Sequence, residues 1–314
     1  MQLNKFREVS IEDFFRSSRV DIEKKLKDII EQHEQKDKLA FFLNHGKRLR
    51  PLLSILVFRA CGGDENNYQD ALDLAAAIEL QHSASLVHDD VIDGDSERRN
   101  KSTYYGVFGV EDAILTGHRA IVLGFEQVLR QDPEILKTFI HVWDMSLRGE
   151  IEDVASKRNP LSFDVEQYFD IITNKTASLF AGAAKIGAQM TGADGDLQAL
   201  LWEYGKHIGI AYQLADDKLD LIRGCKEVLP ISLVAGSLDS KTLESLSHDL
   251  RTGLLPATAL SKLDVDVEGI FNKHIAKMRL KAENLATSSL FPKTIFRPLL
   301  AKAPAYMIKR GQKN

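Results

Sequence analysis

Two aspartate clusters set into apolar sequence constrain this chain more than any other feature. Asp89-Asp90-Val91-Ile92-Asp93 follows Ser85-Leu86-Val87-His88, and Asp216-Asp217-Lys218-Leu219-Asp220 follows Tyr212-Gln213-Leu214-Ala215. Each has D-D-x-x-D spacing. On a helix its first and last aspartates fall at i and i+4, about 6 Å apart along the axis and on one face, so each pair can chelate. A solvated acidic face usually carries basic partners one turn away, whereas these carboxylates sit among Leu, Val, Ile and Ala. Two unpaired carboxylates about 6 Å apart repel by roughly 3 kcal/mol at an effective dielectric near 20. A fold that packs such helices together needs cations to offset that repulsion. Mg²⁺ suits, because it takes oxygen ligands, keeps several waters and is shared between a few carboxylates and substrate phosphates. The candidate metal ligands are Asp89, Asp90, Asp93, Asp216, Asp217 and Asp220.

The surrounding pattern predicts an all-α chain. Residues 71–93 are apolar on more than one face, Pro and Gly fall mostly between such stretches, and no sustained period-2 alternation marks a sheet. A buried helical bundle follows. The 314 residues, 44% hydrophobic, can bury a large core, and no linker or low-complexity tract divides them, so one domain over 1–314 is expected. No run is apolar enough to span a membrane and residues 1–7 lack a signal peptide's apolar core, which makes the cytoplasm the expected compartment. Cys61 and Cys225 have no CxxC spacing and read as ordinary thiols. A net charge of −4 argues against general nucleic-acid binding.

Local clusters of basic residues indicate a small anion instead. Gly46-Lys47-Arg48-Leu49-Arg50-Pro51 precedes the apolar run 52–58, with Pro51 at an early helical position. Cations at a helix start oppose the macrodipole, which points to a bound anion such as phosphate; an ordinary basic surface turn is the competing reading. Arg98, Arg99 and Lys101 arrive soon after the first aspartate cluster, able to grip a diphosphate from the other side. Lys175 lies in the apolar stretch 171–180, where it needs an anionic partner unless its stem snorkels to the surface.

In order and spacing, these segments resemble the trans-isoprenyl diphosphate synthases, and among them most the geranylgeranyl diphosphate synthases, which elongate allylic diphosphates with isopentenyl diphosphate. The resemblance rests on 46–51, 79–93, Arg98-Arg99, Lys175-Thr176 and 212–220, and runs over most of the chain. It implies a helical bundle of the isoprenoid synthase type, with both clusters facing a central cavity, and a homodimer without membrane anchor. Asp89 and Asp93 would bind two Mg²⁺ ions and Asp216 a third, bridging the allylic diphosphate. Arg98, Lys175, Thr176 and Gln213 would hold that same group. Lys47, Arg50, His82 and Arg99 match the positions that bind isopentenyl diphosphate. The catalytic set implied is Asp89, Asp93, Asp216, Lys175 and Arg98. Helix geometry supports His82 independently, since it lies seven residues before Asp89 and returns to nearly the same face, though a core histidine would too.

The resemblance also places product-length control one turn or more before Asp89. Ala84 and Ser85 are small there, which argues for geranylgeranyl or longer products; Phe125 is a deeper floor or plain core. The chain departs from the family at Asn100, Ser102, Thr103, Tyr105 and Gly117-His118, and most in 221–230, which replaces a longer loop. Lys226 matches a second lysine beyond that loop. Lys218 is unusual, and either replaces the loop's first lysine or points to solvent. Two other readings stay open: a non-catalytic subunit of a heteromeric synthase, and a class I terpene cyclase.

Overall fold

The computed structural model describes residues 9–44, 46–98, 101–158, 164–224 and 228–312, except for the side chains of Arg98 and Arg158. The helices run in the order α1 (Ile11–Ile30), α2 (Lys36–Leu43), α3 (Leu49–Ala60), α4 (Tyr68–Asp93), α5 (Tyr104–Phe108), α6 (Val110–Val128), α7 (Pro133–Arg158), α8 (Val165–Ile172), α9 (Ser178–Gln189), α10 (Gly195–Arg223), α11 (Ile231–Ala235), α12 (Ser240–Arg251), α13 (Pro256–Ser261), α14 (Val267–Leu285) and α15 (Arg297–Gly311). A π-helical turn, Thr173–Ala177, joins α8 to α9. The expected all-α bundle is what forms. A two-residue antiparallel ladder, β1 (Glu97–Arg98) with β2 (Lys101–Ser102), sits between α4 and α5.

Local chemistry places both aspartate clusters at helix ends. α4 stops at Gly94, in the left-handed region with φ 73°, whose N–H returns to the Asp90 carbonyl. α10 begins at Asp194, whose carboxylate accepts the Leu197 N–H at 2.8 Å, and stops at Gly224 with φ 86°. Asp93 therefore closes α4, and Asp220 lies in the last turn of α10. The negative end of each macrodipole adds to the carboxylate charge, so both ends attract cations.

The two helices occupy the centre of the bundle. α4 packs against α3 and α6, and α10 against α9 and α14, with α3 also crossing α9. α4 is apolar nearly all round: Leu74, Ala75, Ala76, Ala77, Leu80 and Ala84 are all buried. A fully surrounded helix forces its polar residues onto whatever opening the packing leaves. Cys61 is a half-buried free thiol whose pKa is pushed up to about 12 by burial; Cys225 lies outside the described residues. Among the described residues no helix is long and apolar enough to cross a membrane.

Candidate active site

The opening is a cavity of about 1270 Å³ that reaches most of the residues singled out from sequence. Its walls carry Asp89, Asp90 and Asp93 from α4, Asp216, Asp217 and Asp220 from α10, and also Lys47, Arg50, His82, Ser85, Lys101, Lys175, Thr176 and Gln213. Arg99 and Lys226 lie outside the described residues, as does the side chain of Arg98. Ala84, Lys218 and Phe125 do not line the cavity. Ala84 is fully buried in the main core, Phe125 packs edge-on to Phe139 at 5.4 Å in a separate apolar cluster, and Lys218 donates to Asn272 Oδ1 at 3.0 Å on the exposed side of α10.

The first cluster is served by cations from α7 and the π-turn. Lys157 Nζ lies 2.5 Å from Asp93 Oδ1 and 3.6 Å from Asp153 Oδ2. Lys175 Nζ lies 2.6 Å from Asp153 Oδ2 and 2.7 Å from Glu150 Oε2. The anionic partner that Lys175 required is thus internal. Burial alone would lower its pKa, but the charges of Asp153, Asp89 and Glu150 outweigh burial and the net shift is upward, so the ammonium stays charged. Backbone packing puts it there: a Cβ on Gly149 of α7 would collide with the Lys175 backbone, so only glycine lets the π-turn press this close. Glu150, Asp153 and Lys157 were not singled out from sequence. Their one signal is an E-x-x-D-x-x-x-K run along one face of α7, indistinguishable from an ordinary charged face until α4 is brought alongside.

The second cluster is held by hydrogen bonds. Thr176 Oγ1 donates to Gln213 Oε1 at 2.8 Å, Gln213 Nε2 donates to Asp217 Oδ1 at 2.8 Å, and Tyr168 Oη donates to Asp217 Oδ2 at 2.6 Å. Asp217 is buried and each of its oxygens accepts a bond from protein, which orients α10 against the π-turn. Asp216 and Asp220 are more open.

The basic segment divides by function. Arg50 is buried, 2.8 Å from His82 Nε2 through Nη1, with its guanidinium 4.6 Å above the Phe180 ring centroid. Burial lowers its pKa, against the opposing pull of Tyr212, Glu79 and Asp216, yet a guanidinium remains charged. Lys47 donates to the Gly311 carbonyl, which ties α15 to the same wall. Arg48 answers the sequence argument differently. Its Nη1 is 2.6 Å from the buried Glu79 and its Nε 3.0 Å from Glu23, while Nη2 donates to the Leu43 carbonyl. Of the three cations, Arg48 therefore finds its anion inside the protein, and it does so with a left-handed backbone, φ 56°.

The donor set fits a hard divalent cation. All candidate ligands are carboxylate oxygens, and at Asp93 and Asp220 they sit at negative helix ends. Among the described residues no three His, Cys, Asp or Glu side chains converge into a closed ion site. Mg²⁺ takes one or two carboxylates and completes its shell with water and phosphate oxygens.

The sequence pattern of the polyprenyl synthetase family matches residues 28–229. The chain belongs to the polyprenyl synthetase family. It is 39% identical over 182 residues to a short chain isoprenyl diphosphate synthase of Methanothermobacter thermautotrophicus, covering 56% of this chain and 55% of that one. It is 34% identical over 217 residues to a geranylfarnesyl diphosphate synthase of Methanosarcina mazei, covering 69% of each. The match thus spans little more than half of the first relative's length. Among polyprenyl synthetases of known structure, the geranylgeranyl pyrophosphate synthetase of Pyrococcus horikoshii superposes with a TM-score of 0.79 at 25% identity, over 96% of this chain and 99% of that one. A polyprenyl synthase of Caulobacter crescentus, solved with calcium and isoprenyl diphosphate, superposes with a TM-score of 0.80 at 24% identity, over 96% and 98%.

Proposed function

We propose that this polyprenyl synthetase joins allylic diphosphates head-to-tail with isopentenyl diphosphate in the trans configuration, giving geranylgeranyl or longer products. The observation that carries the reading is a cavity lined both by the two aspartate clusters and by Lys47, Arg50 and His82. Two anionic groups need two binding sets, and a terpene cyclase, with one diphosphate, would leave the second set without a role. A non-catalytic subunit would have no need of either.

Asp89, Asp93, Asp216 and Asp220 would hold Mg²⁺, which when bound stabilises charge on a diphosphate leaving group. Arg98, Lys175, Thr176 and Gln213 hold the allylic diphosphate, and Lys47, Arg50, His82 and Arg99 the isopentenyl one. As the allylic carbon–oxygen bond breaks, its electron pair leaves with diphosphate, where fixed ammonium and guanidinium groups meet the new charge. The isopentenyl double bond then forms the new carbon–carbon bond, and the departing diphosphate takes the released proton. Leu86, Trp143, Leu147 and Leu179 face the cavity and keep water from the allylic cation.

The enzyme works in the cytoplasm as a homodimer. Leu115 and Val122 on α6, Leu129 at its C-cap, and Ile140 and Ile151 on α7 are all exposed, which supports a second copy covering this face. Incubation with Mg²⁺, labelled isopentenyl diphosphate and dimethylallyl, geranyl or farnesyl diphosphate tests the activity. Products of twenty carbons or more are expected; a folded protein that elongates none of the primers would sink the reading.

A further inference from the structure

We infer that Lys157 is a tethered counter-cation of the first aspartate cluster, competing with the divalent ion for Asp93. The inference rests on the reading of Asp93 as a metal ligand. Three observations lead to it. Lys157 Nζ sits 2.5 Å from Asp93 Oδ1, on a carboxylate that closes α4 and so carries the macrodipole's negative end as well as its own charge. The same ammonium lies 3.6 Å from Asp153, one helical turn away on α7, so Lys157 links α7 to the end of α4 through Asp93. Asp153 is engaged more closely by Lys175, at 2.6 Å, and Asp93 is the nearer of the two carboxylates to Lys157.

A divalent ion taking the same Asp93 oxygen would meet the ammonium at like-charge contact distance, at an exposed point of the wall. One of the two must give way. The Lys157 side chain is 34% exposed and has a long flexible stem, so it is the group that swings out, and each swing costs the ion part of its binding. In the metal-free chain Lys157 relieves carboxylate repulsion and holds α4 to α7; in the loaded chain it is expelled. Metal affinity at this cluster is therefore set below what the carboxylates alone would give.

Mn²⁺ titrated into the purified full chain without substrate, with free Mn²⁺ read by electron paramagnetic resonance, tests this on wild type, Lys157→Met and Lys157→Arg. Lys157→Met is expected to bind about two- to fivefold more tightly, the range that removal of a part-exposed ion pair implies, with Lys157→Arg close to wild type. Unchanged or weaker binding by Lys157→Met would overturn the inference, as would equal tightening in Lys157→Arg. Binding by none of the three would remove the metal reading of Asp93 as well, whereas binding by all with equal affinity would remove only the role of Lys157.

Discussion

The Tyr168 hydroxyl donates to Asp217 Oδ2 across 2.6 Å, with both side chains buried where α8 meets α10. Burial, and then the Asp217 charge, push the Tyr168 phenol far above its ordinary value, so it remains a donor at any working pH. The middle aspartate of the second cluster is thus fastened from one side by Tyr168 and from the other by Gln213. Tyr168→Phe removes one fastening and leaves a buried carboxylate oxygen short of a partner. Urea unfolding should show a loss of about 1–3 kcal/mol. Turnover should fall with it, while the KM for isopentenyl diphosphate, which we propose binds at Arg50 and His82, stays at the wild-type value.

Metal removal and substitution test which of the clustered charges hold the cation. A chelator should abolish turnover and added Mg²⁺ restore it. Asp93→Asn and Asp216→Asn should each lower kcat by about 10²-fold or more, the scale on which a lost charge-stabilising contact acts. Lys218→Ala, within the second cluster by sequence, should leave turnover near wild type, because that side chain turns outward to Asn272 on α14. Steady-state kinetics against Mg²⁺ concentration checks all three.

Arg48 carries a stability prediction of its own. Its guanidinium neutralises Glu79, 2% exposed, and holds the segment that presents Lys47 and Arg50 to the cavity. Arg48→Met leaves that carboxylate buried without its cation, a loss of about 3–5 kcal/mol in denaturant unfolding. Arg48→Met combined with Glu79→Gln should recover part of it, since the charge that made the single change costly is gone.

These residues mark where sequence reading succeeds and where it stops. The aspartate clusters were legible because their geometry is local: i, i+4 spacing on an apolar helix states both the helix and the pair of carboxylates on one face. Arg50, His82, Lys175 and Gln213 were legible through family spacing, and all reach the cavity. Arg48 looked like a third anion ligand because its partner Glu79 lies 31 residues away and only α3–α4 packing brings them together. Glu150, Asp153 and Lys157 escaped for the same reason, since α7 reads as solvated until α4 lies beside it. The π-turn that aims Lys175 left no mark in composition, although Gly149 opposite is what admits it.

Acid sensitivity should come from histidines whose surroundings oppose protonation. His207 on α10 has a depressed pKa, first from burial and then from Lys281 and Lys206, with Glu203 pulling the other way. The unfolded chain therefore binds a proton more readily than the folded one as pH falls below the ordinary histidine value of about 6.5. Stability should hold above that pH and decline below it until the folded pKa is passed. Melting temperature measured from pH 7.5 to 5 should show this decline, and His207→Gln should flatten it; an unchanged slope in the variant would assign the effect elsewhere.

Ser85 and Ala84 are adjacent and equally small, yet the fold gives them opposite surroundings, which makes them a matched pair for product length. Ser85 lines the cavity one turn before Asp89, its hydroxyl donating to the His82 carbonyl at 2.8 Å, whereas Ala84 is sealed in the core at 0% exposure. A phenyl ring at 85 enters open space, so Ser85→Phe should fold like wild type and shift the chromatographed products toward fifteen carbons. A ring at 84 has nowhere to go without displacing packed neighbours, and Ala84→Phe should lose about 1–3 kcal/mol in unfolding. Were Ala84→Phe instead to fold normally and shorten the product, the wall that meets the growing chain would have to include the neighbouring face of α4, and the control of length would lie deeper than Ser85.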